Sequence, residues 1–229
     1  MRYGFVGLGQ MGAPMAANLA AAQDVKVLDL SEDAIKAAVR AGASAASSPK
    51  DFADIDVLFL CLPNGGIVEK SLFDKTNGIA KFLSPNTIVV DTSTIEYSLT
   101  LSIGDRLDAL GLRFLDAPVS GMWKRAQDGT LTMMIGGETD IVEDLRPALS
   151  TMADRILHTG AVGSGQLTKL INQLLFDINV AALAEILPMA KKLGLDPENT
   201  AEVVNSGTGR SYASEYFIPQ ILEGTFDTG

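Results

Sequence analysis

The stretch Tyr3-Gly4-Phe5-Val6-Gly7-Leu8-Gly9-Gln10-Met11-Gly12 decides the fold of this chain. Its first four residues form a short run that is typical of a buried β-strand, and an Ala-rich segment with helical spacing begins at Met11. The glycines between them have the spacing G-x-G-x-x-G. A strand, this loop and a helix in that order predict a turn that binds the pyrophosphate of a dinucleotide.

The residues of this loop have different tasks in such a turn. Gly7 permits the tight turn, Gly9 lets the backbone approach the pyrophosphate, and Gly12 allows the helix to pack closely on the strand. The predicted cofactor-binding residues in the loop are therefore Gly7, Leu8, Gly9, Gln10, Met11 and Gly12.

Asp29 follows the second apolar run and indicates which dinucleotide binds. It lies near the offset of about 20 residues at which an acidic residue usually accepts hydrogen bonds from the adenosine ribose. A carboxylate there would repel a 2′-phosphate, so the sequence favours NAD over NADP as the cofactor. The alternative is that Asp29 only caps the helix that begins near Ser31.

Short apolar runs and helical segments alternate through the first two thirds of the chain. This alternation is the pattern of βαβ units, and it predicts an α/β fold with a Rossmann-type doubly wound sheet. The predicted strands are Tyr3–Val6, Val25–Leu28, Val57–Leu60, Ile88–Asp91, Leu112–Leu115 and Leu131–Ile135. The predicted helices between them are Met11–Ala22, Glu32–Arg40, Ile67–Leu72, Ser98–Leu110 and Ile141–Met152.

The alternation stops at the Gly-rich segment Thr159–Gly165. A long helical pattern follows from about Gln166 to Leu193, so we expect a Rossmann domain over residues 1–162 and the start of an all-α substrate and oligomerisation domain over 163–229. The chain ends at Phe226-Asp227-Thr228-Gly229, just after a helical segment. We therefore expect the helical domain to be incomplete.

Composition and charge limit the classes of partner. The net charge is −10, which would repel nucleic acid and anionic membrane surfaces. No uninterrupted apolar run approaches the roughly 18–20 residues of a membrane span. The chain has one cysteine, Cys61, and one histidine, His158, so we expect no disulfide, no metal site and a cytoplasmic location.

Four segments together resemble the β-hydroxyacid dehydrogenase family, which includes 3-hydroxyisobutyrate dehydrogenase, tartronate semialdehyde reductase and 6-phosphogluconate dehydrogenase. They cover nearly the whole chain in the family's order. The segments are the glycine loop continuing to Asn18-Leu19, Asp91-Thr92-Ser93-Thr94-Ile95, Asp116-Ala117-Pro118-Val119-Ser120-Gly121, and Gly163-Ser164-Gly165-Gln166-Leu167-Thr168-Lys169-Leu170-Ile171-Asn172.

The resemblance implies a set of site residues and an assembly. Leu62, Pro63 and Thr94 are expected to line the cofactor cleft. Ser120 and Gly121 are expected to hold the substrate carboxylate. The helical domain of the family forms dimer or tetramer contacts, so a homodimer or homotetramer is expected here.

Lys169 is the catalytic acid/base that the resemblance implies, and its chemistry suits the role. Oxidation of an alcohol by hydride transfer requires a group that accepts the hydroxyl proton. An ammonium becomes a useful base only when burial or nearby positive charge lowers its pKa. Asn172 and Gln173 follow by three and four residues, so on a helix both lie beside the lysine and are candidates to orient the substrate hydroxyl.

The sequence departs from the family at three positions near the expected substrate site. Met122, Arg125 and Gln173 stand where family members commonly have two glycines and an asparagine. Our hypothesis is that Arg125 pairs with a second acidic group on the substrate, because guanidinium binds carboxylate bidentately. The alternative is a solvated loop arginine.

The sequence as a whole predicts an NAD-dependent oxidoreductase acting on a small 3-hydroxy acid or its semialdehyde. Two alternatives stay open, an imine-type reductase and a non-catalytic dinucleotide-binding module. Decarboxylating 6-phosphogluconate chemistry is disfavoured because the resemblance to that branch is weaker. His158, Tyr212 and Tyr216 are expected to pack rather than to take part in chemistry.

Overall fold

The computed structural model describes residues 1–225, so the terminal run from Phe226 to Gly229 lies outside the described residues. The chain divides into two compact units, Met1–Lys169 and Leu170–Gly229. This division lies within a helix rather than at the predicted boundary between residues 162 and 163. The first turns of that helix are hydrogen-bonded to the sheet, and they therefore belong to the first unit.

The first unit contains one mixed β-sheet. Its strands are β1 Tyr3–Val6, β2 Val25–Leu28, β3 Ser44–Ala45, β4 Val57–Leu60, β5 Ile88–Asp91, β6 Arg113–Asp116, β7 Val119–Ser120, β8 Leu131–Gly136 and β9 Ala153–Gly160. The strand order is β3-β2-β1-β4-β5-β6-β8-β7, and β9 also pairs with β8. Strands β1 to β6 are mutually parallel, while β8 runs antiparallel to β6 and β7 and parallel to β9.

Helices connect successive strands, as the βαβ pattern predicts. They are α1 Gly12–Ala20, α2 Glu32–Arg40, α3 Gly65–Phe73, α4 Tyr97–Asp108, α5 Met122–Gln127 and α6 Thr139–Leu149, with short 3-10 helices at Pro49–Phe52 and Ala80–Phe82. The long helix α7, Ser164–Lys192, begins in the first unit and continues into the second.

The core lies on both faces of the sheet. Strands β1, β4 and β5 are buried at every position, because helices cover both faces of a doubly wound sheet. Neighbouring residues alternate between two apolar clusters, so Phe5 and Phe59 pack on one face while Val6 and Leu58 pack on the other. Burial on both faces explains why these strands appear in the sequence as continuous apolar runs.

In the second unit, α7 is followed by α8, Pro197–Ser206, and α9, Tyr212–Glu223. Tyr212 and Tyr216 stack with their ring centroids 6.3 Å apart, which is the packed arrangement expected from their spacing. Helix α7 is long and apolar enough to cross a bilayer by length and composition, although Asn172 and Asp177 interrupt it. One such helix does not by itself distinguish a membrane span from a helix that packs on protein.

Most predicted strands and α-helices lie within three residues of their observed bounds, and the described residues of the first unit contain three strands and one α-helix for which the sequence predicted no bounds. Strands β3 and β7 have two residues each, and the six-residue helix α5 occupies a region read as a loop. The bounds of strand β9 are not predicted because only Ala153 in it is fully buried, so the segment lacks an apolar run.

Candidate active site

The candidate site lies along the carboxyl ends of the parallel strands. The last residues of five strands pair in one row across the sheet, and they are Leu28, Val6, Leu60, Asp91 and Asp116. The loops that follow these residues therefore leave the sheet along a single edge. This is the edge at which ligands bind in open α/β folds.

The glycine loop has the geometry of a phosphate-binding turn. Gly7 has a φ of 96°, and a Cβ there would lie 2.2 Å from the carbonyl oxygen of Cys61. A Cβ on Gly12 would lie 2.0 Å from the carbonyl oxygen of Gly7, so the start of α1 packs directly on the turn. A Cβ on Gly9 would meet no atom of the described residues within 4 Å. The space above Gly9 is therefore open to a ligand.

Asp29 joins the glycine loop to the start of α2. One carboxylate oxygen accepts a hydrogen bond from the backbone N–H of Leu8 at 2.6 Å, and the other accepts from Ser31 at 2.7 Å. Ser31, rather than Asp29, caps α2 by accepting from Ala34. A carboxylate has about four acceptor positions, so Asp29 retains acceptor capacity for a ribose hydroxyl.

The other predicted cofactor residues lie in the loops after β4 and β5. Leu62 is half-buried and Pro63 is exposed, and the N–H of Leu62 donates to the hydroxyl of Ser93 at 2.9 Å. Thr94 is exposed between buried Ser93 and Ile95, so it is presented at the same edge.

The predicted carboxylate-binding pair lies where β7 ends. Ser120 is the last residue of β7, and Gly121 has a φ of 139°. Met122 follows with a φ of 59°, a left-handed conformation that is uncommon for residues other than glycine. Met122 and Trp123 are both exposed, so they lie on the surface beside Ser120.

The structure does not support the hypothesis that Arg125 pairs with the substrate. Its guanidinium donates to the carbonyl oxygen of Thr130 and lies 3.1 Å from a carboxylate oxygen of Asp154. These contacts tie the end of α5 to the loop before β8 and to β9. Arg125 therefore connects parts of the protein to one another. It is also not a solvated loop arginine, which was the alternative.

Lys169 belongs to the first unit and is buried, with 8% of its surface exposed. Burial lowers the pKa of its ammonium group below the ordinary lysine value. The apolar helix neighbours Leu167 and Leu170 are exposed, whereas the charged residue Lys169 is buried. Asn172 and Gln173 stand in the second unit, on the continuation of the same helix.

A buried polar network, to which the sequence analysis gave no role, surrounds the start of α7. The two carboxylate oxygens of Asp116 accept from the N–H groups of Gly163 at 2.6 Å and Gln166 at 2.8 Å. The side chain of Gln166 donates to the carbonyl oxygen of Ser93 and accepts from the N–H of Ile95. The feature of the sequence that indicates this network is Asp116 at the end of an apolar strand, because a buried carboxylate needs hydrogen-bond partners.

Asp91 is the second buried carboxyl at this edge. Burial, with a smaller contribution from the neighbouring Asp116, raises the pKa of Asp91 to about 7. One of its oxygens accepts from the N–H of Ser93, and among residues 1–225 the other has no hydrogen-bond partner. Cys61 is half-buried, and desolvation raises the pKa of its thiol to about 11. The Cys61 thiol therefore stays protonated near neutral pH and is not suited to act as a nucleophile.

His158 is exposed, and its Nε2 atom lies 2.8 Å from the carbonyl oxygen of Gly137. In the part of the chain that the structure describes, no three His, Cys, Asp or Glu side chains group in a way that could hold a metal ion.

The residues at the edge fit a nicotinamide dinucleotide. The open space above Gly9 would accept the pyrophosphate at the start of α1, and Asp29 offers acceptor positions at the end of β2. Leu62, Pro63 and Thr94 would line the side of the site that leads towards β5 and β6. Such a cofactor supplies the acceptor or donor of a hydride when it is bound.

Family models match almost the whole chain. Residues 2–160 match the NAD-binding domain of 6-phosphogluconate dehydrogenase. Residues 163–229 match the domain described as NAD-binding of NADP-dependent 3-hydroxyisobutyrate dehydrogenase.

Individual relatives are dehydrogenases of small hydroxy acids. The 2-(hydroxymethyl)glutarate dehydrogenase of Eubacterium barkeri is 39% identical over 100% of this chain and 77% of its own length. The mitochondrial 3-hydroxyisobutyrate dehydrogenase of Homo sapiens is 34% identical over 96% of this chain and 67% of its own length.

Solved structures agree with these relatives. The 3-hydroxyisobutyrate dehydrogenase of Mycobacterium tuberculosis, solved with L-serine, has a TM-score of 0.87 at 34% identity, covering 96% of this chain and 75% of that one. An imine reductase from Pseudomonas has a TM-score of 0.74 at 19% identity, covering 98% of this chain and 78% of that one. At that identity the likeness to the imine reductase concerns the fold alone.

Proposed function

Because the chain belongs to the β-hydroxyacid dehydrogenase family, we propose that it transfers a hydride between NAD and a small 3-hydroxy acid or its semialdehyde. The observation that carries the proposal is a buried lysine, Lys169, in the same unit as a dinucleotide-binding edge. A buried ammonium with a lowered pKa gives up its proton more readily than the ammonium of an exposed lysine does.

Lys169 has one task in each direction of the proposed reaction. In oxidation, the neutral amine takes the hydroxyl proton of the substrate while the carbon loses its hydride, so the alcohol becomes a carbonyl. In reduction, the ammonium returns that proton to the oxygen as the hydride arrives. Burial favours the neutral amine, which extends the pH range of the oxidation to lower values.

The substrate class is a small molecule in which one carbon separates the carboxylate from the reacting carbon. The named relatives act on 3-hydroxyisobutyrate and 2-(hydroxymethyl)glutarate, both of which are 3-hydroxy acids. Ser120 and Gly121 would bind the carboxylate, and Asn172 and Gln173 would orient the hydroxyl. Because Arg125 is engaged by Asp154, it has no part in this proposal.

The proposal is tested by NADH formation on a panel of 3-hydroxy acids that includes 3-hydroxyisobutyrate, 2-(hydroxymethyl)glutarate and L-serine. We expect turnover of at least one member with NAD. Turnover of a cyclic imine with NADPH, and of no hydroxy acid, would favour the imine-type alternative. Tight NADH binding without any turnover would favour a non-catalytic binding module.

Assembly and location form the finer part of the proposal. We infer a homodimer or homotetramer, supported by the exposed apolar side chains of Ile171, Leu174 and Leu175 on α7. Sedimentation equilibrium should then give at least twice the chain mass of 24.2 kDa. The chain has one cysteine, and we infer a cytoplasmic location.

A further inference from the structure

We propose that Asp116 and Gln166 are positioning residues that fix Lys169 by holding the first turn of α7 against the carboxyl edge of the sheet. This inference rests on the proposed function of Lys169. It adds two residues that touch neither substrate nor cofactor in the proposed reaction and act through the lysine.

Asp116 binds the start of α7 from the end of β6. Its side chain is fully buried, and each carboxylate oxygen accepts from a backbone N–H of the segment Gly163–Gln166. The first N–H groups of a helix have no intrahelical partners, and the helix dipole favours a negative charge there. Asp116 therefore provides both the acceptors and the charge that this helix end requires.

The helix start is also sterically confined. A Cβ on Gly165 would lie 2.4 Å from the carbonyl oxygen of Met134 and 2.7 Å from that of Asp116. A Cβ on Gly136 would lie 2.4 Å from a carboxylate oxygen of Asp116. The backbones of α7, β6 and β8 are thus in direct contact, and a displacement of Asp116 would displace the helix.

Gln166 connects the same turn to the loop that carries Thr94. The Gln166 side chain is fully buried, donates to the carbonyl oxygen of Ser93 at 2.7 Å and accepts from the N–H of Ile95 at 3.2 Å. Lys169 follows Gln166 by three residues and Gly165 by four, so it lies above this anchored turn on the same face of the helix. The position and the burial of the lysine therefore depend on both anchors.

Two substitutions test the proposal. Asp116→Asn removes the charge and leaves one side-chain oxygen that can accept a hydrogen bond from a backbone N–H. Gln166→Met keeps a similar volume and removes both side-chain hydrogen bonds without changing any charge. Asp51→Asn is the matched control, because Asp51 also accepts from two backbone N–H groups, those of Ser47 and Ser48, far along the chain from α7.

The first readout does not need turnover. Competitive trace labelling with acetic anhydride, read by peptide mass spectrometry, gives the apparent pKa of Lys169 in each folded variant. We expect this pKa to rise towards the ordinary lysine value in Asp116→Asn and Gln166→Met, because a loosened turn hydrates the ammonium. Asp51→Asn should leave it unchanged, even if all three variants lose thermal stability.

The second readout is kcat at saturating cofactor and substrate. We expect a loss of about 10- to 100-fold in both test variants, with the pH midpoint of oxidation moved upwards, because small misplacements of a reacting group have effects of that size. If both variants keep the wild-type labelling pKa and kcat, the inference is wrong. Should Asp116→Asn not fold, Gln166→Met alone decides between these outcomes.

The proposed function fails by a different result. If wild-type turnover survives in Lys169→Ala, the lysine is not the acid/base, whatever the labelling shows. If Lys169→Ala is inactive while Asp116→Asn and Gln166→Met match the wild type, the lysine keeps its role and only the positioning inference is lost.

Discussion

Asp29 combines a structural and a recognition role in one carboxylate. It accepts hydrogen bonds from Leu8 and Ser31, and so it joins the phosphate loop to the start of α2. Its remaining acceptor positions and its negative charge are what would favour a ribose hydroxyl over a 2′-phosphate. A single side chain thereby couples loop geometry to cofactor choice.

Asp29→Asn tests this choice. We expect kcat/KM with NAD to fall about tenfold and the ratio of NAD to NADP activity to fall as well, because the amide neither repels a phosphate nor accepts as strongly. Initial-rate kinetics with both cofactors measure the ratio. Asp33→Asn, an exposed change on α2, is the control for the loss of one surface charge. An unchanged ratio in Asp29→Asn would show that its charge does not select the cofactor.

At the scale of elements, the turn between β1 and α1 contains two glycines with different surroundings. Gly12 packs against the protein backbone, and Gly9 faces the space that is open to a ligand. Gly12→Ala places a Cβ against the backbone of Gly7, and we expect it to lower the free energy of unfolding by about 1–3 kcal/mol. Gly9→Ala meets no described atom, so we expect wild-type stability but a loss of NADH affinity of at least tenfold.

Urea denaturation and NADH fluorescence titration measure these two effects. Gly66→Ala in α3 is the control for a Gly-to-Ala change, because its Cβ would meet only Asn64 Oδ1 at 3.5 Å among the described atoms. If Gly9→Ala bound NADH as tightly as the wild type, the pyrophosphate would not lie over this loop.

The burial of Asp91 at the end of β5, beside Asp116 at the end of β6, makes stability depend on pH. The pKa of Asp91 rises from 3.8 to about 7 on folding. Its neutral form is therefore favoured in the folded state, and this contribution is complete below about pH 4 and is lost as the pH rises through about 7. The loss is on the order of a few kcal/mol.

Asp91→Asn should reduce this pH dependence, because an amide stays neutral. We expect the free energy of unfolding of the wild type to fall between pH 5 and pH 8 relative to that of Asp91→Asn. Urea denaturation at the two pH values measures the difference, and Asp108→Asn, an exposed change on α4, is the control. Parallel pH profiles for wild type and Asp91→Asn would contradict the account.

The strands also show how much of the fold can be predicted from the sequence. Strands β1, β4 and β5 match the predicted bounds because burial on both faces leaves continuous apolar runs. Strand β2 also matches, although only its alternate residues are fully buried. Strand β9 is largely exposed, and its pairing with β8 is set by contacts that are distant in sequence. Such a strand has no local signal that distinguishes it from a loop.

At the scale of the whole molecule, the parallel register places the predicted cofactor loops along one edge of the first unit. The sequence motifs predict the residues of these loops and Lys169, but they do not predict the contacts that hold these residues in place. The ties from Asp116 to α7 and from Gln166 to Ser93 join residues that are 50 and 73 positions apart, and the engagement of Arg125 by Asp154 joins residues 29 apart. Contacts of that range follow from the assembled fold and not from any local pattern.

The most direct test of the central claim is single-turnover oxidation of the best panel substrate by NAD in the wild type, Lys169→Arg and Lys169→Ala, with Lys75→Ala, an exposed change, as the control. Arginine keeps the charge but does not deprotonate, so we expect both Lys169 variants to bind NADH normally and to lose at least about 100-fold in rate. Lys75→Ala should match the wild type. A rate for Lys169→Ala within about threefold of the wild type would contradict the assignment of Lys169 as the acid/base.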